Sequence, residues 1–183
     1  MLKSLEIRAK ADQILQDTGL LAELAKYGDV HPIGSYRMDI MAWNDIDIDV
    51  RNDMMSLEKL YALTRYVLDV FHPVWYEAKE EVTDEGKTVW FHGWEAVIDG
   101  ELWNFDIWFF DEETITKAEA FCDGISAKLA AEPEKKALIA QIKRELIGRG
   151  MYSFEQFCSM DVYRAVLELG MTSADEMIRD YAK

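Results

Sequence analysis

Three aspartates alternate with apolar residues along the segment from Asp45 to Val50. This alternation predicts a half-buried strand, because successive side chains of a strand point to opposite faces. Asp45, Asp47 and Asp49 then share one face, with neighbouring carboxylates roughly 6.5–7 Å apart. Like charges this close are unfavourable unless water or a cation separates them, and oxygen-rich clusters suit hard cations such as Mg²⁺. The segment is therefore either a metal site or an exposed edge strand with acidic residues for solubility.

A glycine–serine pair precedes this strand. Ile33 ends a short strand candidate, Gly34–Ser35 begins a helix-like stretch, and nine residues separate Ser35 from Asp45. Glycine allows a phosphate to approach the backbone, and a serine at a helix start offers a hydroxyl beside free N–H groups. By itself the pair also fits an ordinary turn. Arg37, two residues further on, is either a phosphate clamp or a surface arginine.

A lone aspartate, Asp106, lies in the strongly apolar second strand of a hairpin candidate. The Asp99–Gly100 pair joins the two strands, and both of its residues tolerate the positive φ that tight hairpin turns require. In so apolar a run Asp106 either has a functional partner or faces solvent on the exposed side of the sheet. Glu95, on the first strand of the hairpin, is a further candidate for a catalytic base.

Three short motifs carry the resemblance of this chain to a known family. They are, in chain order, Ile33–Gly34–Ser35, Asp45–Ile46–Asp47–Ile48 and Phe105–Asp106–Ile107. Together they resemble the signature of the DNA polymerase β-like nucleotidyltransferase superfamily, over roughly residues 28–110. Within it, the chain looks more like small bacterial antibiotic nucleotidyltransferases than like polymerases. The lincosamide-modifying type has a similar Asp-Ile-Asp-Ile-Asp strand.

The sequence departs from the family pattern at two places. The stretch from Tyr36 to Asn44 lacks the second glycine common in many members, which leaves the shape of the phosphate loop open. The additional Asp49 leaves two candidates for the working pair, Asp45 with Asp47 or Asp47 with Asp49. The spacing to Gly34–Ser35 favours the first pair.

The resemblance implies a site and a reaction. Asp45, Asp47 and Asp106 would bind Mg²⁺, as two ions, and Gly34 and Ser35 would hold the β- and γ-phosphates of an NTP. Two ions can stabilise both the attacking and the leaving oxygen of an in-line displacement. A nucleoside monophosphate would pass from the NTP to an acceptor hydroxyl, which Asp106 helps to deprotonate, and pyrophosphate would leave.

Two other functions stay open at this stage. The chain could be a catalytically inactive relative that binds nucleotide or metal and acts through a protein partner. It could also be an interaction module that dimerises through its C-terminal helices, although the apolar stripes there are better explained as cover for the core of the sheet.

Composition narrows the partners. The formal net charge is −15, and such a surface repels phosphate backbones, so nucleic acid is an unfavourable partner and a small, cationic acceptor is favoured. The longest apolar runs are too short to cross a bilayer, and the N-terminus is amphipathic and charged rather than signal-like. Cys122 and Cys158 lack metal-ligand spacing and are expected to be buried thiols. These features predict a cytoplasmic protein.

Hydrophobic periodicity predicts the elements that position these residues. Helices are expected over residues 5–24 in two parts, from Ser56 to Val70, and over segments 112–131, 133–148, 152–168 and 173–182, with Ser153 and Ser173 as caps. Strands are expected over 30–33, 45–50, 74–82, 87–98 and 101–110, and Gly93 suggests a bulge or a close approach. The order predicts an α+β nucleotidyltransferase fold, a small mixed sheet flanked by helices. Residues 1–112 would form the catalytic domain and residues 113–183 a helical C-terminal subdomain.

Overall fold

The computed structural model describes residues 2–181, and within them five strands form one sheet flanked by helices. In chain order the strands are β1 (Asp29–Pro32), β2 (Asp45–Arg51), β3 (Trp75–Val82), β4 (Thr88–Ile98) and β5 (Glu101–Phe110). They lie in the order β1-β2-β5-β4-β3, with β2 and β5 parallel and the other neighbours antiparallel. The predicted α+β class with a small mixed sheet is confirmed.

The helices follow the predicted order, with one misplaced start. They are α1 (Leu2–Thr18), α2 (Leu20–Leu24), α3 (Gly34–Arg37), α4 (Leu57–Phe71), α5 (Glu112–Ala131), α6 (Glu134–Gly148), α7 (Ser159–Leu167) and α8 (Ala174–Asp180). Ser173 caps α8 through its side chain, as predicted, and Ser56 caps α4 in the same way. Residue 182, the expected end of the last helix, lies outside the described residues.

The prediction of a helix over residues 152–168 with Ser153 as its cap was wrong in its first half. Tyr152 instead bridges to Phe157, and the Ser153 hydroxyl accepts a hydrogen bond from the Gln156 amide in a local turn. A serine side chain bonded to the nearby backbone offers the chain an alternative to a helix. The helix therefore starts at Ser159, after Cys158.

The β4–β5 hairpin sets the register of the sheet. Asp99 and Gly100 have φ values of 51° and 79°, the left-handed conformation that a two-residue turn requires. This turn fixes Asp106 opposite Gly93. Gly93 keeps regular pairing on both sides, with Glu77 on β3 as well as with Asp106, so it forms no bulge.

The first face of the sheet is covered by α1, α2 and α4. Alternate residues of the central strands point into this layer, because of the two-residue period of a strand. Ile46, Ile48 and Phe105 are fully buried there, and the indole of Trp94 stacks on Phe105 with ring centroids 4.8 Å apart. This core holds β2 and β5 rigidly side by side.

A second core lies among α5, α6, α7 and α8. Its buried members include Val162, Val166 and Met177, so the apolar stripes of the C-terminal helices pack in this second core and not, as expected, against the core of the sheet. Met38 and Ile40, in the segment after α3, are also buried in it. The proposed division between residues 112 and 113 stays a prediction, and the second core takes these two side chains from the N-terminal part.

Among residues 2–181, none of the helices combines the length and the apolar character that a membrane span requires.

Candidate metal and nucleotide site

Parallel pairing of β2 with β5 brings three predicted carboxylates together. Asp47 is the register partner of Asp106, and Asp45 is the partner of Asn104. Paired residues of adjacent strands share a face of the sheet. As a result, ligand oxygens of Asp45, Asp47 and Asp106 all lie within 4.8 Å of one another, a separation that one or two cations can bridge.

Burial disfavours the charged forms of the three carboxylates, and repulsion from neighbouring carboxylates adds to this at Asp45 and Asp47. Burial raises the pKa of Asp45 to about 6, and the Asp106 charge adds to the shift, whereas the Asn104 amide opposes it by donating to Asp45 Oδ1 at 2.8 Å. Burial, followed by the charges of Asp45 and Asp106, raises the pKa of Asp47 well above its ordinary value. Burial likewise raises the pKa of Asp106. A divalent cation would relieve this crowding, so the donor set fits Mg²⁺.

The Gly34–Ser35 turn packs directly against Asp47. Gly34 has a φ of 63°, and a Cβ at this position would lie 2.2 Å from Asp47 Oδ2. Ser35 is buried, and its hydroxyl has no hydrogen-bond partner among the described residues. A buried hydroxyl without a partner is costly unless a ligand or water completes it. The turn therefore offers a donor to a ligand bound beside Asp47.

Replacing Gly34 with alanine is expected to lower kcat/KM about tenfold. The left-handed conformation costs an alanine about 1–2 kcal/mol, and the new methyl group would displace the Asp47 carboxylate; about 1.4 kcal/mol corresponds to a factor of ten in rate. Pyrophosphate release measured at varied NTP concentration tests this. Gly124→Ala is the matched control, because a Cβ there meets no heavy atom within 4 Å. Unchanged activity of Gly34→Ala would contradict the placement of this turn.

Asp49 shares the face of Asp45 and Asp47 but has a different environment. It is 1% exposed and is the register partner of His31 on β1. Burial raises the pKa of Asp49 to about 7, with His31 opposing the shift and Glu119 adding to it. The structure thus gathers Asp106 with Asp45 and Asp47, and leaves Asp49 outside this group.

Arg37 and Glu95 lie near the site in different ways. The Arg37 guanidinium pairs with Glu119 at 2.9 Å and with Asp123 at 3.0 Å, both on α5. These ion pairs favour an anchoring role for Arg37, and its role as a phosphate clamp stays a prediction. Glu95 is the register partner of Asn104 and so lies on the same face as the three carboxylates, one strand further out.

A cavity of about 420 Å³ separates Asp45 and Asp47 from the helical layer. Lys143 of α6 lines the same cavity and is only about 2% exposed. Its ammonium donates to Ser159 Oγ at 2.9 Å and to Tyr163 Oη at 2.8 Å. Burial lowers the pKa of Lys143 to about 8, and the carboxylates of Asp45 and Asp47 oppose this shift. The cavity is therefore lined by two carboxylates and by one buried ammonium group.

Apolar side chains complete the lining of this cavity. They include Phe121 of α5, Met160 of α7 and Phe154 of the loop between α6 and α7. Each is exposed, Phe154 to 93%. Such a border suits the flat face of a ring, because base–aromatic stacking needs no particular hydrogen bond. Carboxylates, one buried cation and an apolar border are the groups that a metal-bound nucleotide requires.

The sequence did not predict the cationic part of the cavity lining. Lys143, Ser159 and Tyr163 line the cavity from helices whose place beside it is set by packing alone. A weak signal was present, since Lys143 follows Ile142 on the buried stripe of α6, where a lysine is unusual.

No family model matches the chain, and no curated protein matches it. Its fold is similar to that of solved nucleotidyltransferases. Cid1 poly(U) polymerase with Mg 3′-dATP bound matches with a TM-score of 0.54 and 16% identity, over 87% of this chain and 48% of the polymerase. A mutant of that polymerase bound to MgATP gives a TM-score of 0.58 and 16% identity, over 88% and 50% of the two chains.

A cytoplasmic RNA terminal U-transferase is also similar, with a TM-score of 0.53 and 15% identity over 88% of this chain and 47% of the other. The chain thus spans about half the length of the structures it matches. At such identities the similarity establishes the nucleotidyltransferase fold.

Proposed function

We propose that this protein is a Mg²⁺-dependent nucleotidyltransferase, which moves a nucleoside monophosphate from an NTP to an acceptor hydroxyl and releases pyrophosphate. The observation that carries the proposal is the convergence of Asp45, Asp47 and Asp106, with ligand oxygens within 4.8 Å of one another, in a fold shared with solved nucleotidyltransferases.

The donor nucleotide would occupy the cavity between β2 and the helical layer. Gly34 and Ser35 would donate to its β- and γ-phosphates from one side, and Lys143 would pair with them from the other. A bound phosphate would add an anionic partner to the carboxylates of Asp45 and Asp47, which already favour the charged form of this buried lysine. The apolar border would hold the nucleobase. The names of two matched structures include MgATP or Mg 3′-dATP, which supports an NTP as donor.

The three aspartates would hold two Mg²⁺ ions, and bound Mg²⁺ would neutralise charge on the attacking and leaving oxygens of the displacement. The protein's own residues position the reactants. The acceptor oxygen forms a bond to the α-phosphorus, the bond from that phosphorus to the bridging oxygen breaks, and pyrophosphate carries the electron pair away. Asp106, at the edge of the group nearest β4, would accept the proton of the acceptor hydroxyl.

The acceptor is proposed to be a small molecule. By their names, the matched proteins include a poly(U) polymerase and an RNA terminal U-transferase, and RNA is therefore the main competing acceptor. The net charge of −15 opposes binding of a phosphate chain, and this opposition favours a smaller, uncharged or cationic acceptor.

The proposal predicts Mg²⁺-dependent NTP binding and pyrophosphate release. Calorimetry with each of the four NTPs, with Mg²⁺ and with EDTA, measures binding, and a coupled assay over an acceptor panel that includes an RNA oligonucleotide measures turnover. We expect at least one NTP to bind only with Mg²⁺, and pyrophosphate release to disappear in Asp106→Asn. Binding without turnover on any acceptor would favour an inactive relative, and absence of binding by every NTP would exclude both functions.

A further inference from the structure

Four aromatic side chains form a continuous surface on the sheet face that carries the three aspartates. They are Trp75 of β3, Phe91 of β4, and Trp108 and Phe110 of β5. The Phe91 and Trp108 ring centroids are 4.5 Å apart, and Trp108 stacks on Phe110 at 5.3 Å. Among residues 2–181, none of the four belongs to the two core clusters described above. Trp75 is 44% exposed, whereas Phe91 is 8% exposed. We call these four residues the aromatic surface.

The aromatic surface begins immediately beside Asp106. On β5, Trp108 is the next residue on the same face, and across the strand pair Asp106 faces Gly93. A Cβ on Gly93 would lie 2.5 Å from Phe91 Cζ and 3.2 Å from Trp75 Cζ3, so these two rings lie over the glycine. The space next to the third carboxylate, on the side away from the nucleotide cavity, therefore has an aromatic floor.

Charges around the aromatic surface are predominantly acidic. Lys79 and Arg51 are the lysine and arginine on this face of the described strands, and each already pairs with two carboxylates: Lys79 with Glu77 and Glu81, and Arg51 with Asp29 and Glu112. Glu95 and Asp106 lie on the same face in addition. Free positive charge for a phosphate chain is absent from this face of the described strands.

The aromatic surface already receives one ammonium group. Lys79 Nζ lies 5.5 Å from the centroid of the Phe91 ring, within the distance at which a cation is attracted to the negative face of an aromatic ring. The same attraction acts on any ammonium group of a ligand above Trp75 or Trp108. Aromatic rings edged with carboxylates are a favourable environment for an organic cation and an unfavourable one for a phosphate.

We infer that the aromatic surface binds the acceptor, and that the acceptor is a small organic cation that also carries a hydroxyl group. The inference rests on the proposed nucleotidyl transfer, because it assigns the substrate class of that reaction. The cationic end lies over Trp75, and the hydroxyl reaches Asp106. The Trp75 ring lies over Gly93, which pairs with Asp106 on the neighbouring strand. Because neighbouring strands are about 4.8 Å apart, a molecule of a few carbon atoms spans this distance.

Matched ligand pairs test the inference without any donor nucleotide. Choline is compared with its uncharged isostere 3,3-dimethylbutan-1-ol, glucosamine is compared with glucose, and a single-stranded RNA oligonucleotide serves as the competing ligand. Calorimetry and quenching of tryptophan fluorescence measure affinity. We expect at least one cation to bind about tenfold more tightly than its neutral partner, the factor that about 1.4 kcal/mol of cation–π attraction gives.

Two alanine variants make the assignment specific. Trp75→Ala is expected to remove the preference for the cation and to leave NTP binding unchanged. Because the Trp75 side chain is exposed, the variant is expected to fold. Tyr61→Ala is the control, because Tyr61 is an exposed aromatic residue of α4, a helix on the other face of the sheet. It should change neither property. An oligonucleotide that binds through Trp75 better than either cation, or cation binding that is indifferent to Trp75→Ala, overturns the inference.

The design separates this inference from the proposed function. If Mg²⁺ and an NTP bind and an acceptor is modified, yet neither cation is preferred over its neutral partner, the acceptor class is wrong and nucleotidyl transfer stands. If no NTP binds, nucleotidyl transfer fails, and a preference for the cation at Trp75 would then identify only a binding surface.

Discussion

Replacing Asp47 with asparagine is expected to lower the rate of nucleotidyl transfer by about a thousandfold or more. Asp47 stands between Asp45 and Asp106 in the group of carboxylates and would contact both ions. Asparagine keeps the shape of the side chain and removes its charge. A loss of about 4 kcal/mol of charge stabilisation corresponds to about a thousandfold in rate.

The matched control for this variant lies on the same strand. Asp49→Asn makes the same chemical change two residues away, where the carboxylate is next to His31 and Glu119, and we expect at most a severalfold loss. Single-turnover rates with saturating Mg²⁺ and NTP measure both. If Asp49→Asn lost as much activity as Asp47→Asn, the working pair would be Asp47 with Asp49, and the assignment of Asp45 to the metal site would be wrong.

The unfolding temperature of the metal-free protein reports on the Asp47 charge independently of activity. The pKa of Asp47 is raised in the folded protein by burial and by its acidic neighbours. A raised pKa means that the folded state binds the proton more tightly than the unfolded state does. The associated stability is present at low pH and is lost as the pH rises through the folded pKa. At neutral pH the metal-free Asp47→Asn protein should therefore unfold at a higher temperature than the wild type, and Mg²⁺ should reduce this difference.

The second large effect is expected at Lys143. Lys143→Met should lower kcat/KM for the NTP by about a hundredfold, mainly through a higher KM, because about 3 kcal/mol of charge-assisted contact with the phosphates would be lost. Methionine fills a similar volume, and the Ser159 hydroxyl keeps its partner Tyr152 at 2.6 Å. Stopped-flow binding of a fluorescent NTP, together with steady-state rates, measures the change.

A pH profile strengthens the test of Lys143. Burial lowers the pKa of this ammonium to about 8 in the free protein, so kcat/KM of the wild type should fall as the pH rises through about 8, and this fall should be absent in Lys143→Met. The control is Lys136→Met on the same helix, since Lys136 pairs with Asp39 on the surface. Equal NTP affinity for Lys143→Met and the wild type would show that Lys143 does not contribute to nucleotide binding.

Local sequence patterns were sufficient to predict the three carboxylates of the site. The alternating segment around Asp47 could only be a strand with its carboxylates on one face, and the Asp99–Gly100 turn fixed the register of the second hairpin strand. These are short-range effects of backbone geometry. Asp106 followed from them together with the family resemblance, because an aspartate in so apolar a strand needed a partner.

The cationic half of the site depended on long-range packing. Lys143 lies 37 residues beyond Asp106, and its position in the lining of the cavity results from the way α6 and α7 pack in the second core. Helical periodicity locates the face of a helix that is buried, but not the element it is buried against. The same limit explains the misplaced start of α7, since the local turn at Ser153 competes with a helix that the periodicity alone would extend.

The burial of Met38 and Ile40 in the second core affects the order in which binding functions are lost on partial unfolding. The Gly34–Ser35 turn is held between the two cores, by Tyr36 in the first and by Met38 and Ile40 in the second, whereas the aspartates are held by the strands of the first core. A mild denaturant that loosens the C-terminal helices first would remove one anchor of the turn and withdraw Lys143 while the strands still hold their carboxylates. Under such conditions affinity for divalent ions should outlast affinity for nucleotide, so that the two binding capacities disappear in sequence rather than together.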